Sequence, residues 1–361
     1  MKNKKLSIPD VQAQALKILR WYDRHRRILP WRALVGEKPD PYRVWLSEIM
    51  LQQTTVATVG PYFQKFINRW PRVHDLAAAS LDEVFQMWAG LGYYRRARSL
   101  HETAQRIVAD YGGVFPDDEA ELLDLPGFGP YTVAAVRAIA FDQCANVVDG
   151  NVERVMARMF AITTPLPKAK AALREAAETL LPKARYGDYA QSLMDLGATI
   201  CTPRNAKCDL CPWMKACRAY AVGIVRQLPR REKPKPKPTR RAIAFVAINK
   251  RGDILLRQRP PKGLLGGMME VPSSAWLEAA MPKLAAVRGE APVTASWHLL
   301  QGKVQHVFSH FTLEIAVALT EIGSAKAIAG CRWVPESELE TQALPSVMRK
   351  IIRQALNKKK P

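Results

Sequence analysis

Leu125-Pro126-Gly127-Phe128-Gly129-Pro130, running directly into Tyr131-Thr132-Val133-Ala134-Ala135-Val136, decides how the first two thirds of this chain are read. The proline and glycines predict a tight turn, and the apolar spacing behind it predicts a helix over 131–141. Gly127 and Gly129 let backbone N–H groups approach an anion with no Cβ in the way. The helix end adds a favourable dipole, so phosphate is the natural ligand. Standing alone, such a string is more often an ordinary turn between two helices.

Its surroundings add weight. Helical spacing recurs over 44–59, 81–88 and 152–162. A first helix is expected near Ser7 to Asp10, with Pro9 early and Val11, Ala15, Leu16, Leu19 and Tyr22 on one face. Few segments alternate apolar and polar residues, so 1–225 reads as all-α. Lysine and proline then alternate in RQLPRREKPKPKPTRR at 226–241, the composition of an extended linker. Beyond it, 242–248 and 253–257 read as strands joined by a turn at 249–252. A second strand pair lies at 304–308 and 311–318, with helical runs near 275–287 and 346–356. Residues 242–361 are therefore expected to form a separate α/β domain.

Length and charge agree with two domains that meet a polyanion. The chain has 361 residues, 48% of them hydrophobic, and 54 Lys and Arg against 33 Asp and Glu, a net charge of +21. Such a field attracts nucleic acid first and membrane surface second, although a merely solvated basic face leaves the same signature. No segment reaches the roughly 18 consecutive apolar residues of a membrane helix, so a soluble cytoplasmic monomer with no membrane partner is expected.

Two carboxylates stand out. Asp149, in Val148-Asp149-Gly150-Asn151-Val152, precedes a helical run and is at least an N-cap. Glu48 lies in Trp45-Leu46-Ser47-Glu48-Ile49-Met50-Leu51-Gln52-Gln53-Thr54, where Val44, Leu51 and Thr55 are its neighbours on a helical period. Burial there raises a carboxyl pKa, which a general acid needs near neutral pH; a glutamate on a polar helix edge is the plainer alternative.

Cys201, Cys208, Cys211 and Cys217 are spaced C-x6-C-x2-C-x5-C, so one loop can wrap four thiolates around one centre. Zinc accepts the same donors, and two disulfides are a weaker option. Arg204, Lys207, Lys215 and Arg218 surround the loop, which suits a phosphate-facing surface. Cys144 and Cys331 stand alone and are expected to be buried small hydrophobes.

The LPGxG turn, its helix, Asp149 and the cysteine loop together resemble the helix-hairpin-helix glycosylase superfamily over residues 10–220, and the cysteine spacing resembles the [4Fe-4S] loop of endonuclease III and MutY enzymes. LPWR at 29–32, SEIMLQQT at 47–54, GLGYYRRA at 90–97 and VDGNV at 148–152 narrow the resemblance to the MutY adenine glycosylases. It implies a DNA repair enzyme acting on duplexes with adenine opposite 8-oxoguanine or guanine. Glu48 would protonate adenine N7 and help activate water, while Asp149 would stabilise the cationic sugar or bond to it transiently. Asn151 and Tyr131 match supporting positions. Endonuclease III-type relatives carry a lysine where Tyr131 stands, and that amine forms the Schiff base needed to cut the strand; tyrosine cannot. By the same resemblance Trp31, Arg32 and Gln191 line the adenine pocket, and Gln53 and Tyr93 stack around the opposite base.

The α/β tail resembles a Nudix domain. Its metal-binding glutamates should follow 263–270, but 271–288 contains only Glu278, so metal-dependent hydrolysis lacks ligands. In MutY proteins this domain inspects the base opposite adenine, and Phe308-Ser309-His310 matches the loop involved. The expected fold is thus an all-α helix-hairpin-helix core with a [4Fe-4S] loop, followed by a Nudix-like α/β domain. A bifunctional glycosylase-lyase and a non-catalytic iron–sulfur DNA-binding protein are the competing readings.

Overall fold

The computed structural model describes residues 10–233, 236–323 and 327–357. The chain divides into two compact units, Met1–Ala78 with Ser99–Pro234, and Ala79–Arg98 with Lys235–Pro361. The helices of its first two thirds are α1 (Val11–His25), α2 (Pro41–Leu51), α3 (Val56–Arg69), α4 (Val73–Ala78), α5 (Leu81–Trp88), α6 (Arg95–Tyr111), α7 (Glu119–Asp124), α8 (Pro130–Phe141), α9 (Gly150–Met159), α10 (Lys170–Glu178), α11 (Tyr186–Thr199) and the short α12 (Arg218–Ala221). Among the described residues no strand interrupts them.

Asp10 caps α1 by accepting a hydrogen bond from Ala13 N at 3.0 Å; Ser7 and Pro9 of the expected helix start lie outside the described residues. The buried face holds Ala15, Ile18, Leu19 and Tyr22, whereas Leu16, expected on it, is 51% exposed. At about 100° per residue, Ile18, Ala15, Tyr22 and Leu19 share an arc of about 100°, and Leu16 falls roughly 60° beyond its edge. The apolar run over 44–59 is two helices rather than one. Thr55 leaves the helical conformation and accepts from Thr58 N, capping α3, so Thr55 is no helical neighbour of Glu48.

One core of the first unit gathers α1, α9, α10 and α11, with Leu19, Met156, Leu173 and Leu193 among its buried residues and Trp213 of the cysteine loop closing it. Trp213 also donates its indole N–H to Gln14 O at 2.9 Å. The hairpin between α7 and α8 turns at Gly127, whose φ is +80° and where a Cβ would lie 2.8 Å from Ser99 Cβ. Only glycine fits there.

In the second unit, strands β1 (Thr239–Asn249), β2 (Ile254–Gln258), β3 (Met269–Glu270), β4 (His298–Leu299), β5 (Val304–Val307), β6 (Thr312–Ile322) and β7 (Cys331–Val334) form one sheet. β1 and β6 pair in parallel from Thr239 with Thr312 to Asn249 with Ile322; the other pairings are antiparallel. Successive β1 residues face opposite sides: Ala244, Val246 and Ile248 join one apolar cluster with Val347, Met348 and Ile351 of α13 (Ser346–Asn357), and Ile243, Phe245 and Ala247 join another with Trp297. Covered on both faces, β1 reads as a continuous apolar run.

Three expectations change here. The helix expected near 275–287 is absent: Pro282 removes a backbone donor, and only a 3-10 turn, Leu284–Glu290, forms. The stretch 226–241 is not a free tether along its length, because Leu228 is buried in the helical core, Glu232 N donates to Leu166 O, and β1 begins at Thr239; residues 234–235 lie outside the described residues. Cys144 is exposed and Cys331 half-buried, not core residues.

Candidate active site

Pro41 at the first position of α2 and Asp40 as its cap, accepting from Tyr42 N at 2.9 Å, fix the helix start and hence the phase of Glu48. That phase carries Glu48 inward with Val44, Trp45 and Ile49; it is 6% exposed. Tyr131, in the first turn of α8 just beyond the glycine hairpin, donates its hydroxyl to Glu48 Oε2 at 2.7 Å. Burial pushes the Glu48 carboxyl up to about 7; the Tyr131 hydrogen bond opposes this, nearby Asp149 reinforces it and the Arg32 charge opposes it. Burial and the same carboxylates raise Tyr131 well above the ordinary tyrosine value, so its phenol keeps the proton it donates.

Asp149 caps α9. Its Oδ1 accepts from Asn151 N at 2.9 Å and Val152 N at 2.7 Å, and Oδ2 accepts from Asn151 Nδ2 at 2.8 Å. Its carboxylate is thereby held in place by three donors at the N-terminal end of α9. Asn151 is held in turn: its Oδ1 accepts from Arg154 Nη2 at 2.8 Å, and the same nitrogen donates to Gly197 O at 2.8 Å. A Cβ at Gly197 would lie 2.6 Å from Asn151 Cβ, so glycine there permits the close approach of α11.

A narrow pocket of about 40 Å³ is lined by Trp31, Arg32, Glu48 and Gln191, with Arg27, Leu29, Val44, Ser47, Leu51, Val56, Ile139 and Met194. The expected Trp31, Arg32 and Gln191 therefore do meet Glu48. Gln53 does not line it; it is exposed on the turn after α2, in the left-handed conformation at φ +57°. In the second unit the hydroxyls of Tyr93 and Ser309 are hydrogen-bonded at 3.0 Å. Phe308 packs on Phe311 with ring centroids 4.7 Å apart, and Ser309 and His310 are exposed at the loop tip.

The cysteine loop leaves α11 at Cys201. None of the four thiols is in a disulfide, and Cys201, Cys211 and Cys217 pack half-buried against the helical core. Burial pushes the Cys211 thiol up to about 12 and raises Cys208 and Cys217. Arg158 of α9 donates Nη1 to Cys201 Sγ at 3.2 Å and to Thr202 O at 2.8 Å, and Arg154 donates Nε to Cys201 O at 2.7 Å. Among the described residues no three His, Cys, Asp or Glu side chains converge on a single-ion position. Four soft donors, no competing disulfide and a guanidinium at one sulfur fit an iron–sulfur group.

Residues 46–183 match the HhH-GPD superfamily of base excision DNA repair proteins, and residues 243–354 match the NUDIX domain family. The mouse adenine DNA glycosylase is 36% identical over 408 residues, covering 96% of this chain and 78% of that protein. The chain belongs to the adenine DNA glycosylase family. The member from Buchnera aphidicola subsp. Baizongia pistaciae is 31% identical, covering 82% of this chain and 83% of its own length. Among solved structures, a thermostable thymine-DNA glycosylase matches with a TM-score of 0.52 and 34% identity, over 59% of this chain and 97% of that one. This adenine DNA glycosylase family member is therefore a DNA glycosylase with a helical catalytic core and a Nudix-like tail.

Sequence reasoning missed Arg154, Arg158 and Asp195. Arg154 and Arg158 are buried one turn apart on α9, and Asp195 has a fully buried side chain in α11. Each is a charged residue inside an apolar helical stretch, a signal that a partner waits in the fold.

Proposed function

We propose that this chain removes adenine mispaired with 8-oxoguanine or guanine by hydrolysing the N-glycosidic bond, leaving an abasic site without cutting the strand. The observation that carries this reading is the buried Glu48 carboxyl, raised to about 7 and hydrogen-bonded by Tyr131. Glu48 in its acid form gives a proton to adenine N7. The C1′–N9 bond then breaks with its electron pair passing to N9, and the sugar becomes cationic. Asp149 meets that positive charge. Water adds to C1′, losing its proton to the Glu48 carboxylate, which resets the acid.

The adenine must first leave the duplex, at a cost of a few kcal/mol that is lower for a mispaired base. Trp31, Arg32 and Gln191 would receive it. Gly129 supports the phosphate reading of the hairpin, because a Cβ there would meet no atom of the protein. Gly129 is the cap residue of α8 and puts no side chain over the helix N-terminus, which leaves its N–H groups open to a backbone phosphate. Cys201, Cys208, Cys211 and Cys217 would hold a [4Fe-4S] cluster that shapes the basic loop against DNA. Tyr93, Ser309 and His310 would read the opposite base, with Phe308 packed beneath.

Duplexes with adenine opposite 8-oxoguanine, guanine or thymine, incubated with the protein and then treated with alkali, test the proposal. Abasic sites in the first two are expected. No adenine loss from any duplex overturns it, and a borohydride-trapped complex formed as fast as base loss overturns the monofunctional assignment.

A further inference from the structure

Asp195 lies in the middle of α11 with its side chain sealed from solvent. Both of its oxygens are taken by two arginines that precede α2 in the chain. Arg27 donates N to Oδ2 at 3.0 Å and Nε to Oδ1 at 2.6 Å; Arg32 donates Nη1 to Oδ2 at 2.7 Å and Nη2 to Oδ1 at 2.8 Å. A carboxylate sealed from water is costly unless its lone pairs are filled and its charge is matched. Here both conditions hold. Arg27 and Arg32 line the same pocket as Glu48.

The arrangement has two consequences at the pocket. Arg32 is gripped end-on by both Nη atoms, and Nη1 also donates to Arg27 O at 3.2 Å, so the guanidinium plane is fixed. Among the described residues no acceptor takes its Nε–H or the second Nη2 proton, and such donors suit the unprotonated ring nitrogens of a purine. Charge is the other consequence. Arg27, Arg32 and Asp195 sum to one positive charge, whereas without the aspartate they sum to two. A second uncompensated cation beside a purine that is about to be protonated opposes that protonation.

We infer that Asp195 is a positioning residue for base removal: it clamps Arg32 at the pocket wall and offsets its charge, so that a purine can accept a proton from Glu48. The inference rests on the reading of Glu48 as the acid. The other groups acting on Glu48 are Tyr131 from α8, Asp149 at the cap of α9 and Arg32 itself. Arg32 is the one among them that pulls the Glu48 carboxyl down by charge, and Asp195 is its direct counterion.

Single-turnover adenine release from an adenine:8-oxoguanine duplex, measured from about pH 5.5 to about pH 8.5, tests this. The unmodified protein should lose rate as pH rises through about 7. Asp195→Asn should move that fall to lower pH, so that its deficit is roughly tenfold or more at the alkaline end and only a few-fold at the acid end. Adding Arg27→Gln restores the net charge; the midpoint should return toward that of the unmodified protein while the maximal rate stays low, because Arg32 remains unclamped. A folded Asp195→Asn protein with unchanged rate and midpoint overturns the inference, as does a uniform loss at every pH that Arg27→Gln leaves untouched. If circular dichroism shows Asp195→Asn unfolded, Asp195→Glu decides: it keeps the charge but displaces the clamp, so an unchanged midpoint with a lower maximum is expected and a full rate overturns it. Absence of adenine release from the unmodified protein would instead overturn the functional reading, before any variant is compared.

Discussion

Tyr131 and Glu48, 83 residues apart in the chain, meet through a 2.7 Å hydrogen bond from the phenol to Oε2. The bond joins the helix that follows the glycine hairpin to the helix that carries the acid. It also sets a balance: burial holds Glu48 in its protonated form while the donated hydrogen bond limits how far.

Replacing Glu48 by Gln removes the proton source and should lower adenine release by at least about a hundredfold. In the unmodified protein the rate should be highest on the acid side of about 7 and fall above it, since the protonated carboxyl is the active form. A flat pH profile from the unmodified protein, in single-turnover assays, contradicts the assignment.

The same carboxyl makes stability depend on pH. Its folded value of about 7 exceeds its ordinary 4.5, so the folded state binds the extra proton and stability is lost as pH rises between these values. The loss reaches about 3 kcal/mol above that window. Glu48→Gln should therefore raise the melting temperature in alkaline buffer and leave it nearly unchanged in acid; equal shifts in both would show that the carboxyl is not strained by burial.

Tyr131→Phe keeps the ring and removes the hydrogen bond that lowers the Glu48 pKa. The midpoint of the pH–rate profile should move to higher pH. A shift to lower pH would show that the phenol does not act on the carboxylate as its geometry implies.

Asp149→Asn preserves a good helix cap, so stability should change by less than about 1 kcal/mol in urea unfolding. Adenine release should nevertheless fall by roughly a hundredfold or more, because a neutral amide cannot offset the sugar cation. Parallel loss of stability and activity would reduce Asp149 to a cap.

Purified protein should contain about four iron and four sulfide per chain by colorimetric assay. Cys211→Ser should deplete both and weaken duplex binding. Stoichiometric zinc in their place would reassign the loop.

Much of this was written locally. The hairpin follows from the turn residues of Leu125-Pro126-Gly127-Phe128-Gly129-Pro130; the role of Asp149 as a cap follows from its place one residue before a helical run; the cysteine loop follows from its spacing. The continuous apolar run along β1 likewise declares a strand covered on both faces. Each of these depends on near neighbours in the chain, whose geometry the backbone fixes. Local pattern failed where a cap or a proline intervened, as at Thr55 and Pro282. Only the tertiary structure decided how acidic Glu48 is and which charges attend it. Its pKa depends on what packs over α2, on a tyrosine from α8, and on Arg32, which is bound to Asp195 at a separation of 163 residues. Coulomb and desolvation energies are set by distances in space, and the order of residues along the chain does not state them.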